Sequence, residues 1–124
     1  MEILPYLKGL VDARKSPVVI CDAESRIVFM NKFAVGKYEK YGGEKMIGQL
    51  LMNYCSIEDY SKVSMLVEWF KESKDNNIVF SHHESDTNGD VYIVAIRDQN
   101  DEFIGFASAH EQRTPETSEP YHVD

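Results

Sequence analysis

Residues 27–48 read Ile27-Val28-Phe29-Met30-Asn31-Lys32-Phe33-Ala34-Val35-Gly36-Lys37-Tyr38-Glu39-Lys40-Tyr41-Gly42-Gly43-Glu44-Lys45-Met46-Ile47-Gly48. The apolar run Ile27–Met30, continuing from Arg26, predicts a β-strand. Asn31 follows it, and an Asn side-chain oxygen suits the N-cap of a helix. Phe33, Ala34 and Tyr38 carry that helix until Tyr41-Gly42-Gly43 breaks it. The stretch is a strand-to-helix junction closed by a glycine-marked loop, with the other elements arranged on either side.

Upstream, Val18-Val19-Ile20-Cys21 predicts a buried strand, and Asp22-Ala23-Glu24-Ser25 supplies a turn. The two strands therefore form a hairpin. Before them, residues 2–14 predict a helix with Leu4, Leu7, Leu10 and Val11 on one stripe. Pro5 is tolerated in its first turn, and Ser16-Pro17 ends it. Such a short helix is marginal alone and needs a surface to lie on.

Downstream, residues 44–55 have short helical patterning through Met46, Ile47, Leu50, Leu51 and Tyr54. Ser56 and Asp59 have capping-box spacing ahead of a helix over 57–73. Its stripe is Tyr60, Val63, Val67 and Phe70, widened by Leu66 and Trp69. Three strands follow at about 78–85, 90–97 and 102–111, joined by Asn88-Gly89 and by Asp98-Gln99-Asn100-Asp101. From Arg113 the chain is acidic, apolar-poor and holds two prolines, as expected of a mobile tail. The expected organisation is a cap helix over 1–15, one domain over 16–112 and a tail over 113–124.

A chain of 124 residues suits a single domain. Its net charge of −8 disfavours nucleic acid and anionic lipid as partners. No run of about 18 apolar residues is present to span a membrane, and MEILPYLKGL lacks signal-peptide features. Cys21 and Cys55 have no spacing signature and read as reduced thiols of a cytoplasmic protein.

Strand alternation suggests how the sheet is covered. Val91, Tyr92, Ile93, Val94, Ala95 and Ile96 are apolar on both parities, so both faces of that strand call for cover. In the last strand, Phe103, Gly105, Ala107 and Ala109 form a mostly small parity, against Ile104, Phe106, Ser108 and His110. The small parity is expected to face the helices and leave a cavity there; a filled core fits the same pattern. The bulky parity, with Tyr92, Val94 and Ile96, is expected to form an outer apolar patch. The stripe Leu4, Leu7, Leu10 and Val11 would cover it, together with Ile104 and Phe106 as a cap or dimer interface.

The order of elements and several spaced residues resemble the PAS family over about residues 16–112. The resemblance rests on Asp22 to Asn31 as turn, strand and Asn, on Met46-Ile47-Gly48-Gln49, on Glu58-Asp59 at the start of the long helix, and on Phe103-Ile104-Gly105-Phe106. It implies an α+β fold: a five-stranded antiparallel sheet with short helices and one long helix on one face, and the N-terminal helix on the other. It is closest in kind to small stand-alone bacterial PAS proteins. Where many members carry Asp-Ile-Thr, this chain has His110-Glu111-Gln112. With no attached effector expected, output would pass through oligomer state or a separate partner protein.

Some PAS domains hold haem through a histidine on the long helix, but residues 57–73 contain none. Others hold flavin beside a cysteine just after the helix glycine; here Gln49-Leu50-Leu51-Met52 follows Gly48, and Cys55 comes too late. Neither haem nor flavin is favoured. Adjacent His82 and His83 point to opposite faces of a strand and cannot chelate as a pair; either could meet His110 across the sheet, although all three read more simply as surface groups. No catalytic motif and no metal-ligand spacing is present, so neither role is assigned. The expected site is an apolar ligand pocket lined by Phe29, Phe33, Ile47, Met52, Tyr54, Val63, Val67, Val91, Ile93, Ala95 and Ala107. The resemblance implies a sensory, regulatory module that binds a small, mostly apolar molecule and works as a homodimer or through a partner. The alternative is a ligand-free dimerisation module.

Overall fold

The computed structural model describes residues 1–122. Helix α1 spans Leu4–Asp12, and the hairpin β1 (Val19–Asp22) and β2 (Ile27–Met30) follows. Then come α2 (Lys32–Lys37), three 3₁₀ turns, α3 (Ile57–Glu72), and β3 (Ile78–Glu84), β4 (Gly89–Arg97) and β5 (Phe103–Gln112). The strands form one antiparallel sheet in the order β2-β1-β5-β4-β3. The two terminal strand groups thus meet at the centre, β1 against β5. This is the α+β architecture that the spacing and the resemblance predicted.

Asn31 is fully buried, and each of its side-chain atoms is used. Its Oδ1 accepts from Val18 N and Ala34 N, both at 2.9 Å. Its Nδ2 donates to Val11 O (2.9 Å) and Ser16 O (3.0 Å). One residue therefore caps α2, closes the hairpin and holds the end of α1 with its connector. The two ends of the 27–48 stretch also meet: Ile27 N donates to Gln49 O, and Gly48 N donates to Ile27 O. This covers the free edge of β2, which would otherwise present unpaired backbone groups. Gly48 turns the chain there at φ +94°, a conformation that side chains disfavour.

Helix α3 starts as its capping pattern indicates, with Ser56 Oγ accepting from Asp59 N at 3.1 Å. Its other end depends on a distant residue. Arg97 on β4 donates through Nη2 to Phe70 O, Ser73 O and Asn76 O, at 2.7–3.1 Å. A guanidinium on the terminal carbonyls satisfies acceptors the helix leaves open and suits the negative end of its dipole. Phe70 is fully buried and stacks on Phe103, with centroids 5.7 Å apart.

Residues paired directly across strands share a face. Phe29, Ile20, Ala107, Val94 and Ile78 therefore form a row on the outer face. Ile27, Cys21, Phe106 and Ala95 form the corresponding row toward the helices. The small parity of β5 thus faces outward, and Phe106 faces inward, against the sequence expectation. The cause is a bulge: Arg97 pairs with Phe103 and Ile96 with Gly105, which leaves Ile104 without a partner. One extra residue turns both Phe103 and Phe106 inward and exposes Ile104. Small residues then sit beside bulky ones on the outer face, with Ala107 against Val94 and Gly105 against Ile96. Tyr92 lies there too, its ring 5.5 Å from that of Phe80.

Helix α1 buries no residue; Leu4, Leu7 and Leu10 of its stripe are exposed, and Val11 is half-buried. The stripe does not cover Tyr92, Val94 and Ile96 within the chain. Hydrogen bonds at the C-terminal end hold the helix: the Asn31 contact, Lys32 N donating to Asp12 Oδ1, and Arg14 donating to His110 O. Residues 113–122 carry no helix or strand. Arg113 binds Asp90 at 2.8 Å, and that hydrogen bond holds the Asp90 carboxyl below the usual range. Val123 and Asp124, the end of the predicted tail, lie outside the described residues.

Three substitutions test this framework. Asn31→Ala leaves two amides and two carbonyls without their partner, so a loss of about 2–4 kcal/mol is expected in urea denaturation. A loss below about 1 kcal/mol would show that the four-way contact is dispensable. At Gly105 an added Cβ would fall on the Cys21 carbonyl, with Asp22 Cα at 3.2 Å, whereas at Gly36 it meets nothing within 4 Å. Gly105→Ala is expected to destabilise clearly, and Gly36→Ala to be neutral or stabilising by up to about 1 kcal/mol.

Candidate functional site

The main cavity lies between the inner face of the sheet and the helices, with a volume of about 380 Å³. Val63, Leu66, Val67 and Phe70 on successive turns of α3 form one wall. Val19, Cys21, Ile27, Ile93, Phe106 and Ser108 of the sheet form the opposite wall. Tyr38 and Tyr41 from the α2 end, and Met46, Leu51 and Tyr54 from the 3₁₀ turns, close the rim. The lining is apolar apart from three phenols, the Ser108 hydroxyl and the Cys21 thiol. Small-molecule sites have this composition: an apolar body with a few polar groups that orient the ligand.

Burial governs the chemistry of those groups. It pushes the Cys21 thiol up to about 12, with Asp22 adding to the shift. The thiol stays protonated at neutral pH and is no nucleophile. Burial also raises Tyr38, with nearby Glu84 second, so its phenol remains a neutral donor. Among the described residues no histidine lines the cavity. The lining therefore offers a haem iron no imidazole, the ligand that the family resemblance would lead one to expect.

Of the residues expected to line a pocket, Tyr54, Val63, Val67 and Ile93 are brought together here. Val91 is buried and Ala95 packs beside the core, neither lining the cavity. Met52 is exposed on its 3₁₀ turn. Phe29 and Ile47 border a separate recess near β2, Phe33 borders another beyond α2, and Ala107 lies on the outer face. The residues that sequence reasoning missed include Leu66 and Phe70, which were already visible on the α3 stripe. Phe106 and Ser108 belong to the bulky parity of β5, which was expected to face outward.

His82 and His110 flank Val91 in one row and approach Glu84 at 3.8 and 3.5 Å, outside the main cavity. Burial lowers His110 despite the attraction of Glu84. His83 is on the other face and binds Asp90 at 3.0 Å. The opposed pointing of His82 and His83 is as the strand periodicity predicted.

No protein-family model and no curated protein sequence matches the chain. Solved structures do match. A PAS domain from Colwellia psychrerythraea is similar with a TM-score of 0.63 and 18% identity, covering 90% of this chain and 97% of that one. A sensory box sensor histidine kinase from Vibrio cholerae gives 0.59 and 13%, covering 90% and 93%. The Aer2 receptor from Vibrio cholerae, described as a dual PAS-haem oxygen sensor, gives 0.55 and 13%, covering 79% and 94%. At these identities the likeness is one of fold: the chain has the PAS fold, one typical of sensory and signalling modules. Among the described residues no helix is long and apolar enough to cross a membrane.

The Cys21 environment can be checked directly. With iodoacetamide at pH 8, Cys21 is expected to stay unmodified in the folded protein and to react fully in urea. Rapid labelling of Cys21 in the native state would mean that the cavity wall opens readily.

Proposed function

We propose that the chain is a PAS-type sensory or regulatory module that binds a small, mostly apolar molecule between α3 and the sheet. The observation that carries this reading is the apolar cavity of about 380 Å³ with the hydroxyls of Tyr38, Tyr54 and Ser108 at its wall. Such a space holds a ligand of modest size, with its body against Val63, Val67 and Ile93 and one or two polar atoms met by hydroxyls. Occupancy would be reported through a homodimer or a separate effector protein, and no catalytic step is proposed. Neither haem nor covalently held flavin is part of the proposal.

Native mass spectrometry of freshly purified protein tests it. A bound molecule of a few hundred daltons is expected, lost on denaturation. Val67→Phe, which fills the cavity, should abolish that mass and raise or preserve the melting temperature. A clean unliganded mass, with no small apolar compound raising the melting temperature in a screen, would overturn the proposal.

The exposed stripe of α1 favours a second reading, a ligand-free dimerisation module. Ile3, Leu4, Leu7 and Leu10 together leave a contiguous apolar surface on one helix. Leu4→Glu, Leu7→Glu and Leu10→Glu together should then give a folded monomer by light scattering. These side chains are free of the core, so folding is preserved; deletion of residues 1–15 would remove Val11 O from Asn31 and confuse the two effects. An unchanged oligomeric state would sink this second reading.

A further inference from the structure

A second cavity, of about 610 Å³, opens beyond α2 and shares no lining residue with the main one. Its walls are the connector Lys15-Ser16-Pro17, the outer side of α2, and the ends of β3, β4 and β5. Its charge sets it apart. Lys15, Lys32 and Lys37 line it against a single carboxylate, Glu84, in a chain of net charge −8.

Glu84 indicates what this place accepts. Its carboxylate lies 3.6 Å from Lys37 Nζ and 3.5 Å from His110 Nδ1. Gly89, its partner on β4, offers no side chain to keep it from reaching across to β5. Lys15 and Lys32 line the same recess, and among the described residues neither Nζ has a carboxylate within 4.0 Å. Asp12 accepts from Lys32 N at 3.1 Å, and Lys15 acts on Glu116 through its charge alone. Phe33, 45% exposed, supplies an apolar wall beside the lysines.

We propose that this second cavity binds a small organic anion, with its carboxylate or phosphate on Lys15 and Lys32 and its apolar body against Phe33. Lysine is a compact charge with three donors on a flexible stem, so two of them adapt to either anion. The connector in the wall joins α1 to β1, and Ser16 O within it is held by Asn31. A bound anion would tie that connector to α2 and to the sheet end, so occupancy would restrict how α1 leaves the domain. The site is separate from the apolar cavity and does not depend on what that cavity holds.

Titration of the full chain by NMR at constant ionic strength tests this, with benzoate, phenyl phosphate, inorganic phosphate and benzyl alcohol as probes. Benzoate or phenyl phosphate is expected to shift the amides of Ser16, Phe33, Lys37 and His110 saturably. Inorganic phosphate and benzyl alcohol, each lacking half of the ligand, should bind at least roughly tenfold more weakly. Lys15→Gln with Lys32→Gln should weaken binding roughly tenfold. Lys62→Gln with Lys71→Gln, an equal charge change on the solvent face of α3, should leave it unaltered. The proposal is overturned by an absence of saturable shifts, by shifts confined to Val67 and Ile93, by equal binding of inorganic phosphate, or by an equal loss in the α3 control. None of those results bears on ligand binding in the main cavity, except shifts at Val67 and Ile93, which would support it.

Discussion

Four hydrogen bonds from one buried amide hold the halves of this molecule together. Asn31 accepts from the strand-entering backbone at Val18 and from α2 at Ala34, and donates to Val11 and Ser16. An amide has two donors and one oxygen with two lone pairs, so no other side chain of its size meets all four demands. Because every one is satisfied, burial of the group costs little. The same arrangement leaves nothing for a ligand. Asn31 is a junction, and the cavity is lined by other residues.

The cavity lies between the sheet and a helix, α3, that is tied at both ends. Ser56 caps its start, and Arg97 gathers the carbonyls after its last turn. Phe70 packs on Phe103 near that end, while Val63 and Val67 stand over open space. Apolar walls, the Ser108 hydroxyl and a Tyr38 phenol that burial keeps neutral suit an uncharged guest. The lysine-lined recess beyond α2 suits a charged one, so α2 separates two environments of opposite chemistry.

Element types were legible in the amino-acid order with boundaries off by a residue or two. The Asn31 and Ser56 caps, the Asn88-Gly89 turn and the α3 stripe each follow from local chemistry. The site was legible in part. Tyr54, Val63, Val67 and Ile93 were found because helix and strand periods alone aim them inward. Phe106, Ser108 and Ala107 were assigned to the wrong faces because the small parity of β5 was expected to face the helices and leave space there, whereas it faces outward. A bulge at Ile104 depends on how β5 registers with β4, and no local pattern announces it. Arg97 escaped notice for a related reason: its partners at Phe70, Ser73 and Asn76 are far away in the chain.

What the sequence by itself determined is the succession of elements, their caps and their turns, since these depend on neighbours within a few residues. It also determined that histidine is absent from α3. Tertiary structure alone decided which face each β5 residue occupies, that the α1 stripe stays exposed, and that Lys15, Lys32 and Lys37 line one recess with Glu84. These are matters of register and of contact between distant segments. A one-residue slip in register turns a side chain from core to solvent, and local propensity does not sense the difference.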